Sequence, residues 1–268
     1  MGAPAVATSG PEPGGDLPPA DAGIAEGRPV RNVWTIARRE FAAYFVSPIA
    51  YAVAVIFFLI LGLFFNYVDL PQQAYYATVA DVFSRVTTIS LFIAPALTMR
   101  LIAEERRSRT LELLLTAPIR DSELILGKFL AGLGFYLVLV ALASIYPLIL
   151  FAFGNPDPRL LITGYIGVVL FGAALIALGT LASTLSQNQI LAFFAGFGMV
   201  LALMLVGAPA RVAGPQMGEV LRALAINSHL ADFQMGILDT RHVVYFLSLT
   251  VAALFLATRV LEGRRWSG

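Results

Sequence analysis

The chain has 268 residues, of which 58% are hydrophobic and only 13% charged, with a formal charge of +1. Soluble domains carry about 25% charged residues, so this composition excludes an ordinary water-soluble globule. There is no cysteine and there are only two histidines, which excludes disulfide frameworks, thiolate nucleophiles, Cys-type zinc sites and iron–sulfur clusters.

Five stretches contain no Asp, Glu, Lys or Arg: 41–68, 86–99, 129–156, 160–210 and 242–258. A helix of roughly 20 apolar residues crosses a hydrocarbon core of about 30 Å. The longest stretch holds two such helices. The expected fold is an all-α integral membrane protein with six transmembrane helices, an N-terminal interfacial helix and a cytoplasmic coupling helix between spans two and three.

The first thirty residues hold six Pro and six Gly and too little apolar surface to offset ordering entropy, so 1–30 reads as a disordered tail. No basic segment followed by an apolar run marks a signal peptide there. In 31–46, Val33, Trp34, Ala37, Phe41, Tyr44 and Phe45 fall on one helical arc, opposite Arg31, Arg38 and Arg39. Such a helix suits the membrane interface, with basic groups toward anionic headgroups. Its expected functional residues are Trp34, Arg38, Arg39, Glu40 and Phe41. Ser47-Pro48 breaks it before the first span.

The expected spans are about 48–68, 82–103, 126–152, 160–185, 189–208 and 242–261, with a short tail at 263–268. In span two, Arg85 and Arg100 sit near opposite ends and are expected to snorkel to headgroups. Span three opens with Asp121 as N-cap and bends at Pro147. Ser186-Gln187-Asn188-Gln189 makes the turn between spans four and five. Between spans five and six, 208–241 reads as short amphipathic helices punctuated by Gly214-Pro215 and Asn227-Ser228. His229 and Asp232 within it read as a solvated helix face rather than a metal or proton site.

A cytoplasmic N-terminus places thirteen of the eighteen Lys and Arg inside, leaving Arg85, Arg159, Arg211, Arg222 and Arg241 outside. The positive-inside bias therefore puts both termini in the cytoplasm. Trp34 and Trp266 then fall at the cytoplasmic interface, where amphipathic rings anchor.

The stretch 99–132 is unusual for a loop. Glu104, Glu105, Arg106, Arg107 and Arg109 form a dense charged block just below the bilayer. Thr110, Leu111, Glu112, Leu114 and Leu115 follow, with Leu111, Leu114, Leu115 and Ile119 spaced as a helical apolar face that ends at Pro118. An exposed apolar face on a cytoplasmic helix is costly without a partner or a membrane surface. The same block also serves as a topogenic charge cluster with an interfacial helix, and periodicity alone does not separate the two.

The run AEERRSRTLELLLTAPIRDSELILGKFLA resembles permease subunits of type-2 ATP-binding-cassette transporters. There an acidic–basic block, a T-[IL]-E-[LM]-L-[LM] helix, a proline and an L-x-G-K run join spans two and three. The upstream ARREFAAYFVSPIAYAVAVIFFLILGLFF resembles the gliding-motility-type branch. The likeness covers roughly 31–262, and Arg109 departs from it where glycine is the commoner residue.

The resemblance implies a six-span half-transporter whose interfacial helix and charged loop dock on a cytoplasmic ATPase subunit in two copies. A second permease copy or a homologous permease completes the pathway. A periplasmic auxiliary subunit and membrane lipid are further expected partners, and nucleic acid is not. Helix-in-groove docking fits an element with one apolar face. The chain itself lacks a phosphate-binding loop: Gly127-Lys128-Phe129 has Ser122 in place of the first glycine and Phe129 in place of the hydroxyl. Lys128 is expected to snorkel, no cofactor to bind directly, and ATP and magnesium to sit on the partner.

No charged residue lies near the midplane of any span, which argues against proton or ion coupling. The expected function is a non-enzymatic permease of a bacterial-type inner membrane, exporting or extracting an unidentified substrate. The alternatives are mechanotransmission to a periplasmic or motility machine and a non-transporting membrane scaffold. A membrane-embedded enzyme lacks the intramembrane Ser/His, Asp-pair or His-rich set it would need.

Overall fold

The computed structural model describes Gly2 and residues 29–66, 79–107, 120–153 and 157–265. Eleven α-helices and a single 3-10 turn make up these residues, and no strand occurs among them. In chain order, α1 is Pro29–Tyr44, α2 Pro48–Phe64, α3 Val79–Thr98, α4 Ala103–Arg107 and α5 Asp121–Ala143. Then follow α6 Ile145–Phe153, α7 Pro158–Leu185, α8 Gln189–Leu205, α9 Pro215–Leu224, α10 Ile226–Gln234 and α11 Thr240–Arg265.

Five helical stretches are long and apolar enough to cross a membrane. The sixth expected span is α2, whose 17 residues lie at the short edge of the spanning range. It meets α1 at a 70° bend. The chain is a multi-pass, all-α membrane protein.

Local chemistry sets the breaks. Ser47 is extended at φ −88°, ψ 122°, and Pro48 opens α2, because a residue before proline avoids the helical region and proline suits the first helical position. Asp157 accepts the Arg159 amide at the start of α7, and Asn188 accepts the Leu191 amide at the start of α8. The polar tetrad 186–189 is thus the turn expected between them. At the end of α10, Gly236 takes φ +82°. Its amide and that of Ile237 bond the carbonyls of Phe233 and Asp232, the paired bonds of a Schellman cap that only glycine adopts cheaply.

Two features of the third span differ from expectation. Asp121 is the first helical residue and Arg120 is the cap position, whose amide is bonded by Glu123 three residues on. Where a bend was expected at Pro147, the helix is interrupted at Ser144, between α5 and α6. Proline has no amide to donate to the carbonyl four residues back, so the helix loosens in the turn before it.

The core centres on α7, which packs against α3, α5, α8, α10 and α11. Close approach there rests on small residues, as in lipid-embedded bundles. A Cβ added at Gly172 would lie 2.0 Å from the ring of fully buried Tyr136. The Tyr136 hydroxyl bonds Ser90 across the bundle at 3.0 Å. Gly172→Ala is therefore expected to cost about 1–3 kcal/mol by overpacking. Gly198→Ala meets open space and should melt with the wild type in detergent. Equal melting of the two variants would contradict the packing at α7.

A cavity of about 260 Å³ lies between α3, α7, α8 and α10, lined by the hydroxyls of Ser84, Thr87 and Thr88 and the amides of Asn227 and Gln234.

Candidate coupling site at the charged end of the bundle

Arg39 and Glu40 of the first expected segment and Glu105 of the second meet at Lys128. The α1 helix lies along the first turns of α5, and small residues of α5 make the contact possible. A Cβ at Gly127 would stand 2.7 Å from Ile36, and one at Gly134 would stand 3.2 Å from Phe41. Glu123 anchors the far end of this contact, accepting from Asn32 Nδ2 at 3.1 Å and from the Arg120 amide at 3.3 Å.

Lys128 follows Gly127 and is 1% exposed. It does not snorkel. Its Nζ donates to Glu105 Oε1 at 2.8 Å and lies 3.4 Å from Glu40 Oε1. Arg39 Nη2 reaches the same Glu40 oxygen at 3.0 Å. Arg39, Glu40, Lys128 and Glu105 thus alternate in sign and sum to zero. A lone ammonium in this position would face a desolvation cost of several kcal/mol, which the two carboxylates offset.

Arg100 also has specific partners in place of headgroups. Its Nε lies 3.5 Å from Glu104, its Nη1 donates to Ser47, and its guanidinium stands over the Tyr44 ring at 5.9 Å. Tyr44 in turn donates to the Leu97 carbonyl at 2.9 Å. Burial drives ionisation of its hydroxyl well above the ordinary tyrosine range, against the pull of Arg100, so it stays a donor. Arg85, at the other end of α3, lies over the Phe64 ring at 5.0 Å.

The charged block is hooked to the core by Ser183 of α7. Its hydroxyl oxygen accepts the amides of Ile102 at 3.0 Å and Ala103 at 3.1 Å, and the hydroxyl donates to the Met99 carbonyl at 3.3 Å. These amides open α4, where a helix leaves donors unsatisfied. Glu104, Glu105 and the two residues after them therefore leave the bundle from a fixed point. The side chains of Arg106 and Arg107, and all of Arg109, Thr110, Leu111, Glu112, Leu114 and Leu115, lie outside the described residues.

On α1 the structure divides the expected apolar arc. Ala37 and Tyr44 are buried and Phe41 packs against the core, whereas Trp34 is 67% exposed. Arg38 and Arg39 face outward, as expected of the polar side. Sequence reasoning did not single out Asn32, Glu123 or Ser183, and it read Ser47 only as a helix break. A stripe of Glu123, Gly127, Ala131 and Gly134 on one face of α5 was the available signal for Asn32 and Glu123.

Among the described residues, the chemistry of this end of the bundle is that of a charged platform. The model of ABC-2 family transporter proteins matches residues 64–225. The chain belongs to that family. It is a transmembrane permease of an ABC transporter, and an ABC ATPase subunit is its partner. No curated protein matches the chain. The match begins within α2 and runs through the charged block, α5, α7 and α8 to the end of α9, so it includes Lys128, Glu105 and Ser183 of the ABC-2 permease but not α1.

Proposed function

We propose that the ABC-2 permease couples ATP hydrolysis on a separate ATPase subunit to export or membrane extraction of its substrate, through the platform built on Lys128. The observation that carries this reading is the Glu40–Lys128–Glu105 bridge, which joins α1, α4 and α5 at one end of the bundle. Movement imposed on 104–116 passes to α5 through Lys128 and to α7 through Ser183. ATP and magnesium sit on the ATPase, in two copies facing a permease dimer, and residues 109–116 enter its groove as the coupling helix.

In this reading the platform faces the cytoplasm of a bacterial-type inner membrane, and α9 and α10 face outward. The concentration of Lys and Arg at the platform end supports it. The cysteine-free chain makes thiol labelling clean. Arg222→Cys in α9 should react with an impermeant maleimide in intact cells, and Arg107→Cys only after permeabilisation. The reverse pattern would invert the orientation and remove the ATPase from the platform.

A further inference from the structure

The opposite end of the bundle holds a second polar cluster, and it overturns the reading of His229 and Asp232 as a plain solvated face. His242, at the start of α11, stands between them. His242 Nε2 lies 2.6 Å from Asp232 Oδ2, and its Nδ1 lies 2.7 Å from His229 Nδ1. His229 Nε2 is 3.0 Å from the Ala223 carbonyl, and its ring stacks on Tyr245 at 3.9 Å. The cluster does not form a metal-holding group among the described residues.

These contacts close the end of α9. A helix leaves its last carbonyls without intrahelical partners. Ser228 takes that of Arg222, His229 that of Ala223, and Tyr245 that of Leu224 at 2.7 Å. Two of these capping groups come from α10 and one from α11. The hairpin of α9 and α10 is thereby tied to the last span.

The chain of contacts from Asp232 to Ala223 has acceptors at both ends. A backbone carbonyl only accepts, and a carboxylate only accepts. Each of the three hydrogen bonds between them needs one proton. Two neutral imidazoles supply two, so the complete set carries one more, and with the carboxylate it sums to zero charge. A fourth proton sets N–H against N–H at the Nδ1 contact. Loss of the third sets lone pair against lone pair.

We propose that His229, His242 and Asp232 form one proton-counting latch that ties the α9–α10 hairpin to α11 while the set holds three protons and releases it when a fourth arrives. The face of α10 opposite the latch carries Asn227, Leu230, Ala231 and Gln234, which wall the cavity of about 260 Å³. Release of α10 opens that cavity.

The other titratable groups on the packed elements do not substitute for the latch. Asp232 and Tyr245 meet the imidazoles directly. On α9, Arg222 lies against Gly218, and Glu219 is exposed. Asp239 caps α11 through the Arg241 amide, and Asp157 caps α7 through the Arg159 amide. On α3, Arg85 lies over Phe64 and Asp81 sits in the first turn.

Hydrogen exchange of the full chain in lipid nanodiscs tests the latch. Across about pH 8.5 to about pH 4.5, protection factors of the 226–234 amides should pass through a maximum and fall roughly tenfold on its acid side, as for a local opening. In His242→Gln they should be lower than that maximum and independent of pH. A wild type with pH-independent protection, or an equal fall in His242→Gln, overturns the proposal. A second measurement needs no variant. Since the sequence has two histidines, selective ¹⁵N-histidine labelling isolates the pair. A nitrogen–nitrogen coupling across the Nδ1 contact is expected at the pH of greatest protection and should vanish in acid, and its absence at that pH overturns the latch.

Discussion

Lys128→Met should destabilise the permease by about 3–5 kcal/mol, the cost of breaking a buried ion pair from one side. The substitution keeps the apolar stem of a side chain that is 1% exposed and removes only the charge. Glu105 and Glu40 then face each other without the ammonium between them, at 16% and 18% exposure. The repulsion falls on the contact of α1 with α4, so protease sensitivity should appear first in α1. Adding Glu40→Gln and Glu105→Gln to Lys128→Met should recover most of the loss, because a neutral, well-packed replacement of a buried pair is often close to isoenergetic. Thermal unfolding in detergent, with limited proteolysis of α1, reads both effects. A loss under about 1 kcal/mol, the value typical of surface pairs, would contradict the bridge.

The bundle was legible from the absence of charge. Uncharged runs longer than a buried soluble helix requires located the apolar helices, and Ser47-Pro48 and Ser186–Gln189 set limits through local chemistry that acts within a few residues. Contacts that join distant segments were not legible. Lys128 was expected to snorkel because it sits at the entrance to a span. Its partners come from 23 residues away in the loop and from α1, and a single sequence does not register either. The same holds for His229. Its neighbour Asp232 is three residues on, but the group that completes the cluster, His242, enters on a different helix. Ser183 looked like any small residue of a membrane helix until the amides of Ile102 and Ala103 were found on it.

The second large effect concerns the segment that follows α4. If 104–116 lodges in a groove of the ATPase, Leu114→Asp puts an unpaired carboxylate on the docked apolar face. An ionised group buried without a partner costs several kcal/mol or more, which lowers affinity by orders of magnitude because each 1.4 kcal/mol is about tenfold. Charge reversal at Glu112 should act in the same direction but less, since that edge of the helix is polar. Both positions lie outside the uncharged runs that supply the spans, so insertion and the melting profile of the permease alone should match the wild type. The two large predictions separate cleanly: Lys128→Met weakens the permease itself, and Leu114→Asp weakens its complex.

Co-purification of the permease with its co-expressed ABC ATPase tests the coupling role most directly, with wild-type and Leu114→Asp chains compared through affinity capture and size-exclusion chromatography. The wild type should retain the ATPase and its hydrolytic activity, whereas Leu114→Asp should elute as an intact permease stripped of it. An ATPase bound at wild-type levels to Leu114→Asp, with unchanged hydrolysis, would contradict docking through this helix.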